Sequence, residues 1–186
     1  MNRILEATNF AAVKHCQQRR KNAEGSPYIN HPIEVAHHLA SVGRVTDEDI
    51  LIAALLHDTI EDTETIREEI VQHFGETVAT LVAECTDDKS LPKMERKRLQ
   101  IENAPKKSIG AKMIKIADKT CNLRSILSDP PKDWPLSRQY DYFVWASKVV
   151  SGLLGQNEAL DEAVKRILAE GLSKLKPAEQ GGAGNA

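Results

Sequence analysis

The side chains of this chain best suited to chemistry open with one hexad, His57-Asp58-Thr59-Ile60-Glu61-Asp62, which follows the apolar run I-L-I-A-A-L-L at residues 50–56. Neighbouring positions on a helix diverge by about 100°, yet an imidazole and a carboxylate at His57 and Asp58 can both reach one ion placed at the helix end. Glu61 follows His57 by four residues and Asp62 follows Asp58 by four, so each pair shares a face. Ligands on a rigid apolar element, with carboxylates one turn away, suit a metal-dependent hydrolase. Three carboxylates at a helix C-terminus also oppose the macrodipole, a penalty that a nearby cation offsets. Taken alone, the hexad reads equally as a solvated acidic turn.

Two further positions add to it. His31 stands in S-P-Y-I-N-H-P, where Pro32 biases it toward extended angles and so toward a helix entrance; an ordinary N-cap is the plain alternative. Asp118 stands in K-I-A-D-K-T-C-N-L-R among apolar residues, and an acid so placed must be paired or bound to a metal. A surface pair with Lys115 is its plain alternative. His38 lies two turns beyond His31, too far to share an ion, and His15, His37 and His73 read as surface or partly buried residues.

Helices must position these groups. Apolar spacing and breakers predict an all-α fold of about nine helices, spanning 4–18, 32–43, 47–60, 66–75, 76–84, 92–104, 109–127, 135–154 and 158–168. Thr46 is the expected N-cap of the third, and Thr65 with Glu68 the capping box of the fourth. Residues 1–172 read as one domain, and the Gly/Ala-rich 173–186 as a disordered tail. A net charge of -2 argues against a nucleic-acid or membrane-surface binder. The longest apolar run is too short to cross a bilayer, and no basic-then-apolar leader opens the chain. Three cysteines, Cys16, Cys85 and Cys121, form no C-x-x-C and predict a reducing, cytoplasmic setting. No P-loop signature occurs.

The ordered pattern H…HD…D resembles that of the HD phosphohydrolase superfamily. The finer resemblance is to the hydrolase domain of the RelA/SpoT family, in its stand-alone small alarmone hydrolase form. It is carried by R-R-K-N-A-E-G-S-P-Y-I-N-H-P (19–32), A-A-L-L-H-D-T-I-E-D-T (53–63), T-D-D-K-S-L-P-K-M-E-R-K (86–97), K-I-A-D-K-T-C-N-L-R (115–124) and Y-F-V-W-A (142–146). The resemblance implies an HD-domain helical bundle that removes the 3′-pyrophosphate of ppGpp or pppGpp, giving GDP or GTP and pyrophosphate. Within that resemblance one Mn²⁺ falls to His31, His57, Asp58 and Asp118, and the acid/base pair to Glu61 and Asp62. Arg20, Lys21, Asn122 and Tyr142 become substrate contacts, and Tyr28 a loop anchor. A mixed N/O set suits Mn²⁺ and also accepts Fe²⁺, Co²⁺ or Zn²⁺. Because the chain is too short for a synthetase region, hydrolysis alone is expected. Cys121 departs from the family, where a larger side chain is frequent. The rival readings are a phosphatase acting on another nucleotide such as NADPH, a non-catalytic alarmone sensor, and a helical adaptor in which the four residues never meet.

Overall fold

The computed structural model describes residues 2–177. The tail expected at 173–186 lies mostly outside them, and its first two residues are helical. Among the described residues the chain forms α1 (Arg3–Lys14), α2 (Asn30–Ser41), α3 (Glu48–Leu56), α4 (Thr59–Asp62), α5 (Arg67–Phe74), α6 (Glu76–Cys85), α7 (Lys93–Asn103), α8 (Ile109–Ser128), α9 (Leu136–Ser151) and α10 (Glu158–Lys174). A 3-10 turn, Ala104–Lys106, follows α7. Nine of these answer one for one to the expected helices. The tenth, α4, is the last turn of the expected third helix, detached at His57-Asp58. Arg19 and Pro27 make one isolated antiparallel bridge that closes the loop between α1 and α2.

Two helices form the interior. In α3 every residue from Ile52 to Leu56 is buried, and α1, α2, α6 and α8 all pack on it. In α8 the buried face is continuous from Ile114 to Cys121, with α2, α6, α9 and α10 around it. The core is mostly aliphatic, as the scarcity of aromatics requires; Phe143 on α9 is its largest fully buried member. Cys121 packs into this core with no exposed surface. No helix among the described residues is long and apolar enough to cross a membrane.

The helix ends refine several expectations. Asp47, not Thr46, caps α3: its carboxylate accepts from the N–H groups of Asp49 and Ile50 at 3.0 and 3.3 Å. The Thr65–Glu68 capping box does not form. α5 starts two residues after Thr65, whose hydroxyl shares a 2.8 Å hydrogen bond with that of Thr63. α2 begins at Asn30, so Pro32 is its third residue and His31 lies inside the first turn. Proline is tolerated there because the first four N–H groups of a helix have no partner within it.

α10 crosses α9 at Gly171, where a Cβ would run into the ring of the fully buried Phe143. Gly171→Ala should therefore lower the unfolding free energy by about 2 kcal/mol, because overpacking exceeds the roughly 1 kcal/mol of added helix propensity. A urea titration reads this as a lower midpoint; an unchanged midpoint would show that the crossing has slack.

Candidate metal centre

The break between α3 and α4 builds one wall of the site. A helix that ends leaves its last carbonyls without N–H partners, and here side chains take them. The His57 imidazole donates from Nδ1 to Ala54 O at 2.8 Å, and the Thr59 hydroxyl donates to Leu56 O at 2.7 Å. The bond to Ala54 turns His57 Nε2 toward the interior of the site, buried and without a hydrogen-bond partner.

Three other side chains face that nitrogen. Asp58 Oδ2 lies 3.0 Å from it and Asp118 Oδ1 3.9 Å. His31, in the first turn of α2, brings Nε2 to 3.2 Å from Asp118 Oδ1 and 3.9 Å from Asp58 Oδ2. Donor atoms of His31, His57 and Asp118 lie within 4.8 Å of one another. Three elements far apart in the chain thus meet at one point, and the helical-adaptor reading is overturned.

Each ligand-type group is held by further hydrogen bonds. The Tyr28 hydroxyl donates to Asp58 Oδ2 at 2.5 Å, and burial, with Asp58 beside it, keeps this phenol protonated by raising its pKa. Asp118 accepts from Asn122 Nδ2 at 2.5 Å and from Lys119 Nζ at 2.9 Å, with Lys115 Nζ at 3.9 Å. This is no surface pair: Lys115, Asp118 and Lys119 are all buried. Burial pushes the Asp118 carboxyl up, but Lys119, the His31 hydrogen bond and Lys115 outweigh it and hold the pKa well below the carboxylate range. Asp58 behaves alike, with His57 outweighing burial. Burial also drives the His31 pKa down, against the pull of Asp118, so its imidazole is a neutral donor. At His57 the Asp58 charge outweighs burial and raises the pKa. A divalent ion would put its own charge in place of that proton.

This set fits a divalent cation. The His31 and His57 imidazoles and the Asp118 carboxylate form a mixed N/O donor group, with Asp58 Oδ2 3.0 Å from His57 Nε2, and the orphaned Nε2 of His57 has a geometric reason to exist.

The expected acid/base residues leave α4 in different directions. Glu61 turns toward α7: its Oε2 accepts from the Asp87 N–H at 3.0 Å and its Oε1 lies 3.9 Å from the Arg96 guanidinium. Burial raises its pKa against the opposing Asp87 bond. Asp62 turns toward a cleft of about 350 Å³ that Arg20, Lys21, Asn122, Tyr142 and Trp134 also line. Its Oδ2 accepts from Gln18 Nε2 at 2.9 Å, and Lys89 bonds to its Oδ1. Arg20 reaches Asn122 Oδ1 at 3.2 Å, with its guanidinium 5.7 Å from the Tyr28 ring centroid. Tyr142 stands between Trp134 and Trp145, with ring centroids at 5.7 and 5.2 Å.

Sequence reasoning missed several residues. Tyr28 does more than anchor a loop. Trp134 carried a signal, as a lone aromatic beside a helix-starting proline. Gln18, Lys119 and the burial of His15 carried none, because each depends on which helix packs against it. His37 and His73 are exposed, as expected.

An all-α bundle with this donor set at its centre defines a class, the HD-type metal hydrolases. Comparison with known proteins agrees: the HD domain family model matches residues 7–147. The chain is 54% identical over 167 residues to guanosine-3′,5′-bis(diphosphate) 3′-pyrophosphohydrolase MESH1 of Homo sapiens, covering 90% of this chain and 93% of that protein. It is 49% identical over 168 residues to the Drosophila melanogaster protein of the same name, covering 90% and 94%. A solved structure described as a metazoan ortholog of SpoT that hydrolyzes ppGpp superposes with a TM-score of 0.89 at 48% identity, covering 92% of this chain and 97% of the other. The chain belongs to the HD domain family, in the branch formed by these pyrophosphohydrolases.

Second-sphere bonds to metal ligands typically govern affinity by 10- to 100-fold. Tyr28→Phe, which removes the donor behind Asp58 and little volume, should weaken divalent-ion binding by about that factor. Calorimetric titration of metal-free protein measures it, and an unaltered affinity would place Asp58 outside the ligand set.

Proposed function

We propose that this chain is a Mn²⁺-dependent guanosine-3′,5′-bis(diphosphate) 3′-pyrophosphohydrolase, cleaving ppGpp and pppGpp to GDP or GTP and pyrophosphate. The observation that carries the reading is the convergence of His31, His57, Asp58 and Asp118 on one point beside a cationic cleft. The activity named for relatives about half identical over nearly their whole length supplies the substrate.

In this reading those four side chains hold the ion. A bound divalent ion polarises a phosphoryl oxygen and lowers the pKa of water at the site. Arg20 and Lys21 neutralise the phosphate charge. Arg20 is held by Asn122 and Tyr28 in a pose from which its planar face can also stack on a purine. Asn122 and Tyr142 wall the nucleoside side of the cleft. Water attacks phosphorus, the P–O3′ bond breaks, and the nucleotide leaves with a free 3′-hydroxyl. Glu61 and Asp62 orient that water, take its proton and return one to O3′. The two carboxylates leave α4 in different directions, so they share this work from separate positions, Glu61 from the Asp87 side and Asp62 from the cleft, and not as one proton-sharing pair. Burial raises the proton affinity of Glu61, the direction that favours a proton carrier.

The test is incubation with ppGpp and Mn²⁺, with and without chelator. Pyrophosphate release should disappear on chelation and in Asp58→Ala. Turnover that persists in that variant refutes the assignment. Glu61→Gln should lose about 10²- to 10⁴-fold in kcat while still binding the ion; loss of the ion would make Glu61 a ligand instead.

A further inference from the structure

His15 is one of two buried histidines, with His38, that the metal centre does not use. It ends α1, is 1% exposed, and packs its ring 5.0 Å from that of Tyr28. Its Nδ1 lies 2.6 Å from Gln18 Oε1, and Gln18 Nε2 lies 2.9 Å from Asp62 Oδ2. The donor and acceptor roles along this line follow from Asp62. An ionised carboxylate only accepts, so Gln18 must present its NH₂ to Asp62 and therefore its carbonyl to His15. Gln18 Oε1 in turn requires a proton on His15 Nδ1. The backbone of Gln18 is fixed on both sides: its N–H donates to His15 O at 2.9 Å, and its carbonyl accepts from the Tyr28 N–H at 3.1 Å.

The far side of the ring argues that this is more than core filling. His15 Nε2 is buried with no hydrogen-bond partner. A buried polar atom left unmatched is destabilising, a cost that Leu or Phe in the same volume would avoid. What the imidazole offers in return is the bond to Gln18, and through it a fixed Asp62. Lys89, the other partner of Asp62, is half exposed and belongs to a loop, and such pairs hold geometry weakly.

We propose that His15 and Gln18 form a positioning relay for Asp62. It holds one carboxylate oxygen in place and leaves Oδ1 to Lys89 and, once substrate phosphate draws Lys89 away, to the reacting water. The relay rests on the assignment of Asp62 to the acid/base pair. His15 touches neither ion nor substrate, and Gln18 acts through its amide orientation.

The experiment combines kinetics with imidazole NMR on the full chain. With ppGpp and Mn²⁺, His15→Leu should lower kcat about tenfold or more while changing KM by less than about threefold, as expected when a reacting group is mis-set and binding is not, and Gln18→Leu, which also lines the cleft, should lower kcat at least as much. His15→Asn, whose side-chain NH₂ falls near the place of Nδ1–H, should restore kcat to within about threefold of wild type. The double Leu variant should be no worse than Gln18→Leu, since one relay is broken once. Independently of turnover, ¹⁵N–¹H spectra of the wild type should show the His15 proton on Nδ1. A proton on Nε2, a wild-type kcat in folded His15→Leu, an Asn variant as impaired as Leu, or multiplying losses in the double variant would each overturn the relay. Should the wild type not cleave ppGpp at all, the substrate assignment fails, while the tautomer still decides the hydrogen-bond line on its own.

Discussion

Two carboxylates and two imidazoles pointing at one another inside an aliphatic bundle are costly, because charge taken out of water loses its hydration. Much of the rest of the structure near this point offsets that cost. Lys119 and Lys115 lie against Asp118, the Tyr28 hydroxyl against Asp58, and the Ala54 carbonyl against His57. Lys119 takes the Asp118 oxygen turned away from the imidazoles and Ala54 takes the far nitrogen of His57, while the Tyr28 hydroxyl shares Asp58 Oδ2 with the shared point. A divalent cation there would complete the compensation, and the centre is best understood as half of an electrostatic arrangement of which the ion is the other half.

The interruption of α3 is what makes that arrangement possible. A continuous helix would use the Ala54 carbonyl in its own ladder and leave His57 Nδ1 to find another partner. Ending at Leu56 frees this acceptor, orients the imidazole and redirects the chain, so that α4 leaves the core with Glu61 and Asp62 on separate sides. The loop between α6 and α7 then touches both acids, through the Asp87 N–H on Glu61 and the Lys89 ammonium on Asp62. One surface loop is therefore coupled to both of the carboxylates proposed as the acid/base pair. The buried α3 and α8 give this pair and the ligands a rigid frame.

The cleft beside the centre follows from the same packing. Arg20 is placed by a loop whose ends are joined at Arg19 and Pro27 and whose Asn22 is tied to Asp129 just past α8 at 2.8 Å. Asn122 joins the two regions, accepting from Arg20 and donating to Asp118 one turn away on the same helix. Arg20, proposed to contact the nucleotide, and Asp118, proposed to hold the ion, are thus linked through a single amide.

The sequence by itself determined much of this. Helical spacing, prolines and glycines set nine helices nearly in register, and the acids and histidines of 57–62, with His31 and Asp118, announced a metal site. Those signals are local, since periodicity and breakers act within a turn or two. The separation of α4 from α3, the cap at Asp47, the failure of the Thr65–Glu68 box and the burial of His15 were decided only by tertiary structure. Each depends on which groups from distant helices satisfy a free carbonyl, N–H or charge. Whether four side chains separated by up to 87 positions meet within hydrogen-bonding reach is likewise not written in any local pattern, because packing alone fixes the distance between α2, α3 and α8.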